Sequence, residues 1–180
     1  MASALSYLFN FVLFFEPFYP ITNNEISSWY SETKLPENNQ KNITNFHFYF
    51  HDVFSGSHPT AKQIIGPDGS VAMVVVDNAL TEGPDPTSKL IGRAQGGYGK
   101  VDGDLIVAFT CAFLEGKYNG STLNFFGKSP FLEPVTKLSI IGGSGVFVST
   151  DHGYATVNTV WLDTELKDSV VEYNVTVSQL

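Results

Sequence analysis

Short stretches in which apolar and polar residues alternate at a period of two fill the chain from about residue 46 onward. This alternation is typical of β-strands with one face toward a core, and no stretch carries the longer period of an amphipathic helix. The predicted strands are Phe46–Val53, Ala61–Ile65, Ser70–Asp77, Leu90–Tyr98, Leu105–Leu114, Ser121–Phe126, Lys137–Ile141, Val146–Ser149, Tyr154–Asp163 and Val170–Val177. Turns rich in Gly, Pro and Asn separate them at intervals expected of a sandwich or barrel, so an all-β domain is predicted.

The first predicted strand has an unusual inner face. At a period of two, Phe46, Phe48, Phe50 and Asp52 lie on the same side, so a carboxylate shares a face with three aromatic rings. If that face points into a core, desolvation raises the pKa of the Asp52 carboxyl and suits it to proton transfer near neutral pH. The alternative is that this end of the strand emerges into water, where most carboxylates lie.

The strand predicted at residues 105–114 separates large side chains from small ones. Its large face carries Val107, Phe109, Cys111 and Phe113, and smaller residues alternate with them. Two non-aqueous faces suit a barrel wall with a packed interior and a packed exterior. Association of several copies through their outer walls is therefore predicted, with Cys111 as a small buried hydrophobe.

The N-terminal region differs in composition from the rest. Residues 4–15 form an apolar run about as long as the core of a signal peptide and too short to span a bilayer. No Lys or Arg precedes this run and no Ala-x-Ala site follows it, so a wrongly assigned first exon is the alternative to a signal peptide. Pro, Asn, Ser and Glu then dominate residues 16–41. We divide the chain into a signal-peptide candidate at 1–19, a variable arm at 20–42 and the β-domain at 43–180.

Composition narrows the range of partners. The chain has 180 residues, 43% of them apolar, which is enough for one sizeable core. Its net charge of −8, with only ten Lys and Arg, argues against binding to nucleic acid or to an anionic membrane. A neutral or cationic partner is favoured instead. Fifteen Phe, eight Tyr and two Trp permit an aromatic-lined pocket, although Phe is first of all a core-filling residue.

Potential glycosylation sites favour secretion. Three Asn-x-Ser/Thr sequons begin at Asn42, Asn119 and Asn174. Cys111 is the only cysteine, so no intrachain disulfide can form. The predicted location is therefore extracellular.

Common catalytic and cofactor motifs find no support. The Gly-rich segments at 96–99 and 142–145 lack the Lys and Ser or Thr of a phosphate loop and are predicted to be strand bends. His47 and His51 share a strand face, but their Cβ atoms are roughly 13 Å apart at ~3.3 Å per residue, which is too far for one metal ion. No nucleophile elbow of the Gly-x-Ser-x-Gly type occurs. We predict no metal site and no cofactor.

An ordered series of motifs resembles the plant dirigent proteins and spans residues 46–177. The motifs are His47-Phe-Tyr-Phe-His-Asp52, Ser57-His-Pro-Thr-Ala61, Asp77-Asn-Ala-Leu-Thr-Glu-Gly-Pro84, Ile91-Gly-Arg-Ala-Gln-Gly96, Gly116-Lys-Tyr-Asn-Gly-Ser-Thr-Leu123, Ile141-Gly-Gly-Ser-Gly-Val-Phe147, Gly153-Tyr-Ala155 and Val171-Glu-Tyr-Asn-Val175. They occur in the order found in that family. A chain of motifs in fixed order is far more specific than any one of them.

The resemblance implies an eight-stranded antiparallel β-barrel of the dirigent and allene-oxide-cyclase type, preceded by an irregular arm, trimeric and secreted to the apoplast of the plant cell wall. It also implies no redox centre. Family members guide the stereoselective coupling of phenoxy radicals, which a separate laccase or peroxidase makes from monolignols such as coniferyl alcohol in lignan biosynthesis. Another branch, the pterocarpan-forming cyclases, generates and closes a quinone methide by loss of water. A non-catalytic phenolic-binding or cell-wall scaffold protein is the third alternative.

The same resemblance assigns site residues. Asp52 matches the family's pocket Asp, which would act by proton transfer, and Tyr98 matches a position of pocket tyrosines. Arg93 belongs to the family's Gly-Arg-Ala-Gln-Gly string, as a substrate contact or as a structural hydrogen-bonding residue. Phe48 and Phe50 are expected to bind substrate in the aromatic cavity.

One motif departs from the family's pattern. Lignan-forming members often carry an Asp directly after the Gly-Thr-Gly and an Arg directly before the later Gly, whereas this chain has Val146 and His152 there. His152 is the candidate to replace that Arg as a second catalytic residue. For the second acid, either Asp151 stands in or the acid is absent.

Overall fold

The computed structural model describes residues 27–34, 42–65, 71–101, 104–130, 133 and 135–179. Its strands are β1 (Tyr30–Lys34), β2 (Asn42–Asp52), β3 (Ala61–Ile65), β4 (Val71–Thr81), β5 (Leu90–Val101), β6 (Asp104–Phe113), β7 (Thr122–Pro130), β8 (Val135–Ser144), β9 (Thr150–Leu162) and β10 (Ser169–Gln179). Two single-turn 3-10 helices, Gly116–Tyr118 and Gly145–Phe147, complete the regular structure of this part of the chain. No described helix is long and apolar enough to cross a membrane.

The sheet closes on itself through one short seam. All neighbouring strands pair antiparallel, and β2 pairs with β10 along its whole length and with β4 through residues 49–51. This second pairing joins the ends of the series into an eight-stranded barrel made of β2 and β4–β10, as predicted. β1 extends the edge of β2 at residues 42–46, and β3 pairs with β4 beside the seam.

The period of two selects the residues that fill the barrel. On β2 the buried residues alternate from Thr44 through Phe46, Phe48 and Phe50 to Asp52. Their partners on β10 continue the same inner face, because Phe48 pairs with Tyr173 and Phe50 with Val171. The interior of the barrel is therefore an aromatic and aliphatic core, in which area burial is the main stabilising term.

A cluster of rings closes one end of this interior. We call it the aromatic end, and its members are Trp29, Phe46, Phe113, Tyr118 and Phe147. Trp29 stacks on Phe46 at 5.7 Å and on Phe113 at 5.5 Å between ring centroids. The two 3-10 turns contribute Tyr118 and Phe147, which stack on each other at 5.3 Å. Each of these five side chains is nearly or fully buried, so this end is sealed.

Two elements differ from the sequence prediction. Residues 30–34, which the composition placed in the arm, form β1, because pairing with β2 satisfies their backbone groups and Trp29 seats in the core. The predicted strand Val146–Ser149 is instead a 3-10 turn in which Phe147 alone is buried. Gly145, at φ +63°, supplies the backbone conformation that starts this turn. The signal-peptide candidate at 1–19 lies outside the described residues.

Candidate active site

The interior of the barrel is less deeply buried at the end opposite to the aromatic end. We call it the open end, and it comprises Asp52, Tyr98, Leu105, Val157 and Val171. The last four point inward yet remain half-buried, whereas inward positions at the aromatic end are sealed. Leu105 and Phe113 mark the two ends of β6, eight residues or about 27 Å apart. The less deeply buried end of the interior is therefore the one beside Asp52.

Two hydrogen bonds hold Asp52, one to each oxygen. The carboxyl is 6% exposed, which decides between the two interpretations of the sequence in favour of a buried acid. Tyr98 Oη donates to Oδ2 at 2.7 Å, and Asn78 Nδ2 donates to Oδ1 at 3.0 Å. The side chain comes from the end of β2, and its partners come from β5 and β4. Three strands thus fix the position of one carboxyl group.

Burial dominates the electrostatics of this carboxyl. Desolvation raises the pKa of Asp52, the hydrogen bonds from Tyr98 and Asn78 oppose that rise, and the charge of Asp168 adds to it. Burial also raises the pKa of the Tyr98 phenol, and the neighbouring Asp52 charge raises it further. Tyr98 therefore remains a proton donor in this hydrogen bond. Burial therefore favours the protonated form of Asp52 more than it would be favoured in water.

Aromatic rings form the floor beneath Asp52. Phe50 lies 5.6 Å from Phe109 and 5.8 Å from Tyr173 between ring centroids. Phe48 stacks on Tyr173 at 5.5 Å but is 0% exposed. Phe50 thus lies in the floor beneath Asp52, and its role in substrate binding stays a prediction. Phe48 lies below this floor in the packed core, where it has no accessible surface to offer a substrate.

Arg93 lies on the outer wall, away from the interior. Asn78 on β4 faces Ala94 on β5, and both are fully buried, so the adjacent Arg93 points outward. Its Nε donates to Asp77 Oδ1 at 2.7 Å and its Nη2 to the Asp77 carbonyl at 2.7 Å. The prediction that Arg93 contacts substrate inside the barrel is therefore corrected. Its guanidinium joins β4 to β5 on the outer surface, which is a structural role.

His152 and Asp52 lie at opposite ends of the barrel. On β10, Ser178 pairs with His152, and Ser169 pairs with Asp52. Nine residues separate these two serines, which corresponds to about 30 Å along the strand. The exposed His152 therefore cannot act with Asp52 on one small molecule. The prediction that His152 is a second catalytic residue beside Asp52 is thus corrected.

The three sequon asparagines lie on the surface. Asn42 begins β2, Asn119 follows the first 3-10 turn, and Asn174 lies on the outer face of β10, all of them exposed. The side chains of Ser121 and Thr44, the third residues of two sequons, are buried. The asparagines themselves are thus accessible in the folded chain.

Sequence reasoning missed Asn78, which is fully buried against Asp52. The predicted strand ended at Asp77, whereas β4 continues to Thr81. Extending the alternation Val74, Val76, Asn78, Leu80 would have identified a lone amide in an apolar row. Among the residues that the structure describes, no three His, Cys, Asp or Glu side chains are placed to hold a metal ion.

Comparison with known proteins matches both the sequence and the fold. The family model described as "Dirigent-like protein" matches residues 43–178. Dirigent protein 23 of Arabidopsis thaliana is 40% identical over 164 residues, which cover 86% of each chain. Pterocarpan synthase 1 of Glycine max is 36% identical over 150 residues, covering 77% of this chain and 80% of that protein.

Solved structures extend the match to three dimensions. The pterocarpan synthase dirigent protein GePTS1 superposes with a TM-score of 0.74 at 35% identity, covering 78% of this chain and 86% of that one. The pterocarpan synthase dirigent protein PsPTS1 gives a TM-score of 0.72 at 34% identity, with 76% and 95% covered. The resemblance drawn from the ordered motifs is thereby confirmed. The chain belongs to the dirigent family.

Proposed function

We propose that this protein binds small neutral phenols at the open end and directs the coupling of phenoxy radicals supplied by a separate laccase or peroxidase. Monolignols such as coniferyl alcohol are the proposed substrates, and lignans are the proposed products. The observation that carries the proposal is the placement of Asp52, a buried carboxyl at the less deeply buried end of an aromatic interior. The rings of Phe50, Phe109 and Tyr173 pack together beneath this carboxyl and make its surroundings aromatic.

The barrel contributes to coupling by limiting approach. Two radicals in solution combine at any of several carbons and on either face, whereas two radicals held against fixed walls have one geometry available. The oxidase removes the electrons, so this protein need only hold and orient the radicals. We therefore expect that the protein alone consumes no monolignol, and that it alters the isomer distribution only when an oxidase is present.

Asp52 has a role after the carbon–carbon bond forms. Coupling leaves a quinone methide, and a side-chain hydroxyl of the coupled product adds to its methide carbon to form a carbon–oxygen bond. The Asp52 carboxylate takes the hydroxyl proton, and the resulting acid returns a proton to the quinone oxygen, which becomes a phenol. The proton count balances, and a carboxyl with a raised pKa suits both steps.

A pterocarpan-type cyclisation is the second candidate. It is favoured by the similarity to two solved pterocarpan synthases at 34–35% identity. In this reaction an isoflavanol loses its hydroxyl as water to give a quinone methide, which a neighbouring phenol closes. Asp52 as a neutral acid would protonate the departing hydroxyl, while the conjugated ring phenol gives its proton to solvent and becomes the quinone oxygen. On closure Asp52 would take the proton of the attacking phenol, and solvent would return one to the quinone oxygen. This reaction needs no oxidase.

A product assay separates the candidates. Purified protein is incubated with coniferyl alcohol and laccase, with coniferyl alcohol alone, and with an isoflavanol alone, and products are resolved by chiral chromatography. An altered isomer distribution only with laccase supports radical coupling. Conversion of the isoflavanol without oxidase supports the cyclisation candidate and contradicts radical coupling as the function. Unchanged products in every arm, with phenol binding retained, overturn both and leave a phenolic-binding or wall scaffold role.

Secretion to the apoplast and N-glycosylation are part of this proposal. They are supported by the exposed sequon asparagines Asn42, Asn119 and Asn174 and by the apolar run at residues 4–15. Expression of the full chain in plant cells tests both. We expect the protein in the apoplastic fluid, with a mass that falls on treatment with an N-glycosidase. Retention in the cytosol with an unchanged mass would contradict both.

Assembly into a trimer is also proposed, through the outer wall of β4 to β7. Met73, Val75, Ile106 and Phe126 expose large apolar side chains there. Beside them lies an open concavity of about 420 Å³ lined by Met73, Gly96, Gly97, Tyr98, Gly99, Ile106 and Ala108. Light scattering of the deglycosylated protein at micromolar concentration should give three times the monomer mass, and Ile106→Lys should reduce it. A monomer mass for the unmodified sequence would contradict the proposal.

A further inference from the structure

Asn78 is a polar residue in an apolar row. The inward positions of β4 are Val74, Val76, Asn78 and Leu80, and Asn78 is 0% exposed. Its partner across β5 is the small residue Ala94. An uncompensated amide at such a position destabilises a fold, whereas an apolar side chain of the same size would not. The position therefore calls for a function that an amide alone can perform.

The two ends of this amide are in different situations. Asn78 Nδ2 donates to Asp52 Oδ1 at 3.0 Å. Asn78 Oδ1 has no hydrogen-bond partner in the described part of the chain and is closed off from solvent. Buried acceptors nearly always have a donor. An ionised Asp52 has no proton to donate to Asn78 Oδ1, whereas a protonated Asp52 has one. The group next to Asp52 is thus an unused acceptor.

We propose that Asn78 is a positioning residue whose amide holds the Asp52 carboxyl in both of its protonation states. When Asp52 is ionised, it only accepts, and Asn78 Nδ2 supplies the proton, as the structure shows. When Asp52 is neutral, a half-turn of the amide about its Cβ–Cγ bond brings Oδ1 to the place of Nδ2, where it accepts the Asp52 O–H. This inference rests on the proposed function, in which Asp52 alternates between base and acid.

Tyr98 cannot replace Asn78 in this role. Its hydroxyl carries one proton, which it donates to Asp52 Oδ2 at 2.7 Å. If it instead accepted a proton from Asp52, its own proton would need another acceptor inside the barrel. An amide has two donors and two lone pairs on separate atoms, so a simple rotation matches either state. The two partners therefore divide the two carboxyl oxygens between them.

The pH response of Asp52 depends on a small set of neighbours. Tyr98 faces it from β5 and lowers its pKa through the hydrogen bond, as Asn78 does from β4, while Asp168 ahead of β10 raises it. Burial raises the pKa of the Tyr173 phenol on β10, and the charge of Asp52 adds to that rise. Asp168 is itself held by the backbone N–H groups of Phe54 and Ser55. Changing Asn78 alone leaves the other groups in place.

The test is a titration of the Asp52 carboxyl by carbon-13 NMR, with the resonance identified by its loss in Asp52→Asn. In Asn78→Leu, a change of similar volume, we expect the Asp52 midpoint to move to higher pH and product selectivity to fall. Asn124→Leu is the matched control, because Asn124 is an amide that accepts from Thr110 Oγ1 at 2.8 Å, away from Asp52. We expect it to leave the midpoint unchanged. In the unmodified sequence the Asn78 side-chain amide resonances, identified by their loss in Asn78→Leu, should change with the Asp52 midpoint as the amide turns over. Amide resonances that stay constant through the Asp52 titration overturn the proposal.

A second variant covers the case in which Asn78→Leu does not fold. Asn78→Asp places a second carboxyl against Asp52, and the pair should release its protons in two separated steps with one midpoint well above the other. A single Asp52 step identical to that of the unmodified sequence overturns the proposal. A shifted midpoint combined with full selectivity of Asp52→Asn would instead overturn the proposed function, while the contact between Asn78 and Asp52 would stand.

Discussion

The two ends of the barrel are built from similar residues yet have opposite properties. At the aromatic end, Trp29 and two 3-10 turns cover the interior with five packed rings, of which Tyr118 donates its hydroxyl to Glu32. At the open end, half-buried aliphatic residues surround a carboxyl held by two hydrogen bonds. The difference teaches that apolar burial alone makes the first end a stabilising plug. The second end gives up some burial and contains one group that is costly to bury, the Asp52 carboxyl.

The largest effect is expected from Asp52→Asn at the open end. The change removes the proton donor and acceptor but keeps the shape, so product selectivity or turnover should fall by ~10²- to 10⁴-fold. The measurement is the chiral product assay with laccase, or with an isoflavanol if cyclisation is the reaction.

A neighbouring acid provides the matched control. Asp77→Asn removes a carboxylate from the outer face of β4, where it pairs with Arg93, and should leave selectivity unchanged. Full activity and selectivity in Asp52→Asn would mean that the open end works by shape alone.

The next effect is expected from Trp29→Ala at the aromatic end. Trp29 is 2% exposed and contacts four aromatic rings, so its removal should lower the free energy of unfolding by about 3–5 kcal/mol. The fraction that remains folded should keep its product selectivity. Denaturant unfolding and the product assay at a low temperature measure the two quantities separately.

Trp161→Ala is the control, because this second tryptophan is 51% exposed. Its unfolding free energy should change by no more than about 0.5 kcal/mol. If Trp29→Ala altered the isomer ratio in fully folded protein, the two ends would not be independent.

A smaller effect concerns stability against pH. Burial raises the pKa of Asp52 above its ordinary value of 3.8, so above pH 3.8 the folded chain binds more protons at this site than the unfolded chain. The stability contributed by this site is complete below pH 3.8 and is lost as pH rises through the folded pKa.

Asp52→Asn removes this site from the balance. Between pH 4 and pH 7, the unfolding free energy of Asp52→Asn should therefore decrease less than that of the unmodified sequence. Parallel denaturant curves at several pH values measure the difference, which isolates Asp52 from other groups. Identical slopes for the two proteins would show that Asp52 titrates alike in the folded and unfolded chain.

The barrel and its buried acid could be predicted from the sequence, but the division of the interior into two ends could not. Alternation at a period of two placed Asp52 beside Phe50 on one inner face, because that periodicity is a local property of strands. It could not show that Trp29 plugs the interior, because the long-range pairing of β1 with β2 decides this. His152 was misplaced because only the register between strands determines which motifs share a site. Arg93 was misplaced although alternation on β5 already puts it on the face opposite to Ala94 and Tyr98.

The smallest effect is expected from His152→Ala. The side chain is exposed, and the register along β10 places it about 30 Å from Asp52, beyond the length of a coupled phenol dimer. Selectivity should therefore change by less than about twofold, and unfolding free energy by about 0.5 kcal/mol or less. The assay is the one used for Asp52→Asn, run on both variants together so that each serves as the reference for the other. A large loss of selectivity in folded His152→Ala would bring the substrate to the aromatic end, and the assignment of the two ends would have to be reversed.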